Sequence, residues 1–304
     1  MNHEDQITSW YAQQCKADTS VIPIGIGDDM AQVCAGSDGT LLITTDMLLD
    51  GAHFDLASCT LEQAGYKAMA ASLSDCAAMA TVPVCAVGAT ALPVYFTQNE
   101  LKELHKGTQR AADLFNCPVV GGDITKWRHA EGRFAVAITM LSRVSGWHPP
   151  VRRNGAKAGD VICVTGTLGG SIAGKHLTFT PRVSEALTIT RSATLNAMMD
   201  ITDGLSTDLN RLCTQSKAGA IIEASAIPLS EAAQQTRDPL ASALHDGEDF
   251  ELLFTLTEQE YHKLPKLETT TISRIGVITD SPAMHIRMPD GNLTVLKPQG
   301  FDHL

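Results

Sequence analysis

Apolar positions recur along this chain in short runs, spaced now as strands and now as helices, and several runs end on an Asp. Gln6 to Cys15 predicts a helix, and Leu41-Leu42-Ile43-Thr44-Thr45-Asp46 predicts a strand that delivers its Asp at the carboxyl end. Leu61 to Met79 predicts a helix whose Ala64, Ala68, Ala71 and Ala78 allow close packing on a sheet. Asp75 falls late in that helix, where a ligand role is the simplest reason for a charge. A strand over Val84 to Leu92 and a helix from Gln98 to Phe115 come next. Pro118-Val119-Val120-Gly121-Gly122-Asp123 reads as a strand entering a glycine turn, and Phe134 to Leu141 as another strand.

Between Ser145 and Asp160 the hydrophobic rhythm stops, with Pro149, Pro150, Arg152, Arg153 and Gly155 in a polar bend. A domain boundary is expected there, giving domains 1–148 and 149–304 of a two-domain α/β chain. In the second half Asp160 to Gly166 has a buried-strand pattern, and Met198 to Leu205 reads as a strand end and turn before a helix starting at Thr207. Ile221-Ile222 and Ile227 suggest a strand and its exit, Phe250 to Leu256 an alternating strand, and Thr271 to Ile278 a later one. No repeat of fixed period runs through the chain, which excludes a solenoid.

The 304 residues carry 44% hydrophobic and 19% charged side chains, the balance of an ordinary globular protein. A formal charge of −11 argues against a sequence-independent grip on nucleic acid. The eight cysteines are scattered with no C-x-x-C pair, and most lie in apolar runs as reduced thiols do. Met1-Asn2-His3-Glu4-Asp5 has neither the positive flank nor the apolar stretch of a signal peptide. The longest apolar run, Val82 to Val94, is broken by Pro83, Gly88 and Pro93 and is too short to span a bilayer. A cytoplasmic protein without membrane partners is expected.

The acids change this picture most. Gly27-Asp28-Asp29, Thr44-Thr45-Asp46, Ser74-Asp75, Gly121-Gly122-Asp123, Asp200-Ile201-Thr202-Asp203-Gly204 and Gly247-Glu248-Asp249 each set an acid beside glycine or hydroxyl residues. Any one of them is ordinary turn chemistry. Together, carboxylates that converge repel one another unless a multivalent cation neutralises them, and hard oxygen ligands favour Mg²⁺. A carboxylate-bound Mg²⁺ with open positions usually holds a polyphosphate, so the chain is expected to handle Mg-ATP. Around the 200–203 turn two Asp could reach one ion, with Thr202 free to donate to a phosphate oxygen.

Gly169-Gly170-Ser171-Ile172-Ala173-Gly174-Lys175-His176 is one residue away from a P-loop. His176 stands where the Mg²⁺-binding Ser or Thr belongs, and a glycine turn opening a helix is also ordinary structure. Lys67 is read as a solvated or snorkelling helix residue and left out of the site. His3, His105, His129, His148, His262 and His285 lie among polar neighbours and are read as solvated.

Gly25-Ile26-Gly27-Asp28-Asp29, Thr44 to Phe54, Tyr66 to Ala70, Leu73 to Met79, Gly121 to Asp123, Met199 to Leu205, Gly247 to Phe254 and the terminal Gly300-Phe301-Asp302-His303 follow one another in the order of a known family. Across nearly its whole length the chain resembles the thiamine-monophosphate kinase family, within the aminoimidazole-ribonucleotide synthetase superfamily. The resemblance implies a two-domain α/β (α+β) fold with mixed sheets covered by helices. It also implies a homodimer through the amino-terminal domains, and phosphorylation of thiamine monophosphate by ATP to thiamine diphosphate. By position, Asp29, Thr44, Thr45, Asp46, Asp75, Asp123, Asp200 and Asp203 match metal ligands for several Mg²⁺ ions, and Asp46, Asp75 and Asp203 are the expected catalytic acids. Gly122, Asp123, Arg153 and Thr202 match nucleotide contacts; His53, Glu248 and Phe301 match positions that hold the thiamine phosphate.

The acceptor is itself an anionic nucleophile, so no strong general base is demanded, and positioning with charge screening would carry the reaction. Phe301 offers a face for the thiamine rings, and Glu248 could balance a thiamine cation. Ser72, Asp246, Met30 and Phe301 depart from the family's usual residues, and Gly170 to Arg182 is shorter than in many relatives. Two other readings stay open: another ATP-using superfamily member with a different phosphorylated acceptor, and a non-catalytic nucleotide-binding regulator.

Overall fold

Strand alternation and two helix caps organise the first half. The structure, a computed structural model, describes residues 18–34 and 39–301 together with Gln6, Ser9, Trp10, Ala12 and Gln13. The expected helix from Gln6 to Cys15 is helical at its described residues, and the rest of it lies outside them, as do His3, Asp302 and His303. Strands β1 (Ala31–Cys34), β2 (Thr40–Leu49), β3 (Val82–Leu92), β4 (Val119–Lys126) and β5 (Ala135–Arg143) form a five-stranded sheet in the order β1-β2-β5-β3-β4. All its pairs are antiparallel except β3 with β4, which makes the sheet mixed.

Helices α1 (Leu61–Ala78) and α2 (Gln98–Leu114) accompany this sheet. Each starts with a capping box, Thr60 with Gln63 and Thr97 with Glu100, which satisfies backbone N–H groups that have no partner in the helix. From Ala64 to Ser74 every residue of α1 is buried, so the helix runs through the interior. It meets α2 at two glycines. A Cβ on Gly65 would lie 2.1 Å from the Leu104 carbonyl oxygen, and one on Gly107 would lie 1.8 Å from that of Glu62. Ala at either position would push the helices apart.

The second sheet has seven strands in the order β12-β11-β8-β10-β6-β9-β7. They are β6 (Val161–Thr165), β7 (Ala197–Asp200), β8 (Gly219–Glu223), β9 (Leu252–Leu256), β10 (Ile272–Thr279), β11 (Met284–Arg287) and β12 (Leu293–Val295). β11 runs parallel to β8, so this sheet is also mixed. Helices α3 (Val183–Ser192) and α4 (Leu205–Ser216) lie in this half. One core cluster joins Leu42, Leu73, Met140 and Phe134 of the first half to Val161, Phe179, Met198 and Phe254 of the second.

Two local expectations fail. β9 does not alternate: all five of its residues are buried, because β6 and β7 flank it and both its faces are covered. Gly121-Gly122-Asp123 is not a turn either. Those residues continue β4 in parallel register with β3, and a Cβ at Gly122 would come within 1.9 Å of the Gly88 carbonyl oxygen.

A cleft floored by unbalanced acids

Separate elements converge on a cleft of about 1350 Å³ lined by residues of both halves. Along β2, alternation sends Leu42, Thr44, Asp46 and Leu48 toward α1 and leaves Ile43, Thr45, Met47 and Leu49 on the outer face. Thr44 donates to Asp75 on α1, and Ser72 of the same helix donates to Asp46. Ser74 donates to Asp200 at the end of β7 at 2.5 Å. Asp29 arrives on the loop before β1. Carboxylate oxygens of Asp29, Asp75 and Asp200 lie within 4.8 Å of one another.

These acids stand in low dielectric with too few cations. Burial pushes the Asp75 carboxyl well above the usual carboxylate range, and Asp46, Asp200 and Asp29 push it further. Asp200 is raised by burial and by Asp29, against the Ser74 hydroxyl and Arg153, and burial raises Asp46 despite the Ser72 hydrogen bond. The nearest compensation is Arg153. Its guanidinium grips Asp29 through Nε to Oδ2 at 3.0 Å and Nη2 to Oδ1 at 2.7 Å. Burial alone would lower the Arg153 pKa, but Asp29 more than offsets it and holds the group charged. Hard oxygen donors with surplus negative charge are the donor set that divalent magnesium takes.

Both faces of the cleft use the 200–203 turn. The N–H groups of Thr202 and Asp203 each donate to Asp208 Oδ2 at 3.0 Å, which fixes the turn against α4. Asp203 is paired with Arg211, so it lines the cleft without joining the Asp29, Asp75 and Asp200 group. Phe301 closes over it: the Phe301 N–H donates to the Asp203 carbonyl at 3.2 Å, and its ring is half exposed at the cleft. At the other end stand His53, whose Nδ1 accepts from the Leu49 N–H at 3.0 Å, and Glu248. His176 and Lys67 more than offset the effect of burial on Glu248 and hold its carboxyl below the ordinary range.

Family models for the N-terminal and C-terminal domains of AIR synthase related proteins match residues 27–144 and 157–288. A thiamine-monophosphate kinase of Rhodopirellula baltica is 35% identical over 93% of this chain and 92% of that protein. The chain belongs to the thiamine-monophosphate kinase family. A second relative of that name, from Haemophilus influenzae, is 32% identical over 100% of this chain and 98% of its own length. A solved structure described as AaThiL complexed with AMPPCP and TMP matches with a TM-score of 0.82 at 28% identity, over 100% of this chain and 97% of that one. The two-domain fold expected of a thiamine-monophosphate kinase is thereby shown, and the family is one of kinases.

Against the residues that the kinase motifs single out, the geometry is selective. Asp29, Asp46, Asp75 and Asp200 come together with Thr44, and His53, Glu248, Thr202, Asp203, Arg153 and Phe301 line the cleft around them. Thr45 also borders the cleft, but its hydroxyl meets that of Thr139 at 2.9 Å on the outer face of the sheet. Gly122 and Asp123 are exposed on the edge strand β4 and do not border this cleft. From Asp46 the register runs across Ile138 and Gly88 before reaching Gly122.

The near P-loop is not one. Ser171–Ala173 and Lys175–Leu177 are short 3-10 turns, and Lys175 Nζ binds Glu251 at 2.9 Å and the Thr167 carbonyl at 3.2 Å. Ser72, a departure from the family pattern, supplies a donor to Asp46 from the same helix face. Lys67, read as solvated, is 1% exposed and ion-paired to Glu248. Its signal was present: a lysine amid a run of alanines on a helix that buries every neighbour has no route to water.

Proposed function

We propose that this chain transfers the terminal phosphoryl group of ATP to the phosphate of thiamine monophosphate, giving ADP and thiamine diphosphate. The observation that carries the reading is the Asp29, Asp75 and Asp200 group on the floor of a cleft large enough for two substrates. Buried acids that raise one another's proton affinity are costly unless a cation belongs among them. Asp29, Asp46, Asp75 and Asp200, with Thr44 beside them, would hold several Mg²⁺ ions, with Thr45, Asp123 and Asp203 as the further matched ligands. Ions held by these residues would supply charge screening between the two anionic phosphates and stabilisation of charge on the transferring group.

The chain's own residues do the rest. Arg153 holds Asp29 in place through its two-point contact, and with Thr202 it faces the nucleotide. His53 and Glu248 stand where the acceptor enters, and the half-exposed ring of Phe301 offers a stacking face for its heterocycles. No general base is required, because the acceptor phosphate is already deprotonated at neutral pH. Domains 1–148 and 149–304 would each supply one wall.

The homodimer belongs to the same reading. The outer face of the five-stranded sheet exposes Ile43, Met47, Leu49 and Val87, an apolar surface that a second copy would cover, and Asp123 lies in register on the same face of its edge strand. Gly122 and Asp123 would then serve the nucleotide site from across the seam. Among the described residues no helix is long and apolar enough to cross a membrane, and a cytoplasmic location is part of the proposal.

Product analysis tests the reaction. Purified protein with ATP, Mg²⁺ and thiamine monophosphate should yield thiamine diphosphate and ADP in equal amounts, and free thiamine should yield neither. ATP turnover stimulated by a different phosphorylated acceptor would move the function elsewhere in the superfamily. The shortened segment favours that second reading most, since its exposed Ile172 borders the cleft.

A further inference from the structure

Lys67 lies in the stretch of α1 where every residue is buried, yet it reaches the cleft wall. Its Nζ donates to the His53 carbonyl oxygen at 2.5 Å, meets His176 Nδ1 at 2.9 Å and forms an ion pair with Glu248. An ammonium has three donors, and here each goes to a different segment: the loop after β2, the short turn at 175–177, and the loop before β9. His53 and Glu248 both border the cleft. None of these three partners is an acid of the Asp29, Asp75 and Asp200 group.

The Glu248 loop needs holding. Glu248 and Phe250 have φ of 59° and 51°, in the left-handed region that non-glycine residues enter only when their surroundings enforce it. The enforcing contacts are visible. The Glu248 N–H donates to the Thr202 carbonyl at 2.7 Å, Ser171 Oγ donates to the Glu248 carbonyl at 2.5 Å, and the Phe250 ring stacks on Phe179 at 3.9 Å. Those contacts fix the backbone, while the Glu248 carboxylate is aimed by Lys67 and His176. Burial lowers the proton affinity of Lys67, and Glu248 offsets that only in part, so the charged amine is kept at a cost.

We infer that Lys67 is a positioning residue for the acceptor: with His176 as its anchor, it sets the Glu248 carboxylate and the His53 loop at the separation the incoming phosphorylated substrate must fit. The inference rests on the proposed function, since it assigns that end of the cleft to the acceptor. Lys67 joins a loop of the first half to two segments of the second, so losing it frees both acceptor-facing groups and leaves the acid cluster in place.

Steady-state kinetics on the full chain tests this, with thiamine monophosphate varied at saturating Mg-ATP and ATP varied at saturating acceptor. Lys67→Met should raise the acceptor KM about tenfold or more while the KM for ATP stays within about twofold. Lys67→Arg should recover most of the loss, and His176→Asn should fall between. Equal rises in both KM values, a fall in kcat alone, or an unmoved acceptor KM would overturn the inference. If Lys67→Met does not fold by thermal unfolding, His176→Asn carries the same test, and a wild-type acceptor KM in that variant overturns it. Wild-type protein that makes no thiamine diphosphate sinks the proposed function and this inference with it. An active enzyme with an unmoved acceptor KM sinks only the inference.

Discussion

Among the described residues, the buried acids around Glu251 and those around Asp75 differ in one respect that decides their roles. Around Glu251 the charges are matched: Arg182 binds it through Nε and Nη2, both at 2.7 Å, Lys175 adds a third contact at 2.9 Å, and Thr165 donates at 2.8 Å. Burial would raise Glu251, but these partners more than offset it and hold the carboxyl below its ordinary range. Around Asp75 the neighbours are Asp46, Asp200 and Asp29, with only hydroxyls and Arg153 against them, and the carboxyl is driven well above that range. Burial with matched charge fastens the glycine turn and α3 to the second sheet. Burial with unmatched charge stores a demand for cations, and in this fold that demand sits in the cleft. Asp249, pushed up to about 7 by burial while it accepts from the Gly169 N–H, belongs to the fastening region and does not border the cleft.

Removing one acid from each region separates them most sharply. Asp75→Asn should lower turnover by about a thousandfold with the fold intact, measured by initial rates of thiamine diphosphate formation beside a circular dichroism melt. Full activity would remove Asp75 from the cluster. Glu251→Gln should act on stability instead, costing about 3–5 kcal/mol in urea unfolding, because Arg182 and Lys175 keep their buried charge without a partner. A loss below about 1 kcal/mol would show that the matched network does not carry the load assigned to it.

Acidity should distinguish the regions more gently. Asp75 and Asp200 are raised in the folded state, so between the ordinary carboxylate range and their raised values the native protein holds more protons than the unfolded chain. Metal-free stability must therefore fall as pH rises through that window, and Asp208, raised to about 7 by burial and Asp203, adds a window that closes near neutrality. Glu251 and Glu248 have the opposite sign: they are lowered, and their contribution is lost only as pH falls below the ordinary carboxylate range. Metal-free protein should melt about 3 °C or more higher near about pH 5 than near about pH 8, with the difference shrinking in Asp75→Asn. A melting point that climbs over the same interval would contradict the surplus charge. The smallest effect expected is from Ser72→Ala, which takes one donor from Asp46 and should slow turnover roughly fivefold without changing the melt appreciably.

Much of this was legible in the sequence. The apolar runs located β2, α1, β3, α2 and β10 to within a few residues, and the acids pointed to Asp29, Asp46, Asp75, Asp123, Asp200 and Asp203 as one site, of which Asp123 lies away from the cleft and Asp203 pairs with Arg211. What stayed hidden depends on contacts across long separations. Gly174-Lys175 mimics a phosphate loop until Glu251, far downstream, claims the lysine. Lys67 reads as a surface helix residue until His176, 109 positions later, turns up beside it. The glycines before Asp123 suggest a turn because the sequence does not reveal that β3 will press against them, leaving no room for a Cβ at Gly122. Alternation along β2 could have separated Thr45 from Thr44 and Asp46, since only every second residue of a strand shares a face.

The most direct measurement is the thermal unfolding of metal-free wild type and Asp75→Asn, each titrated with Mg²⁺ in the presence of ATP and without acceptor. Wild type should start lower and gain several degrees as the acids acquire their cation, and Asp75→Asn should start higher and gain much less. Equal gains in both proteins, or none in either, would contradict the claim that the unmatched acids of this cleft are its magnesium site.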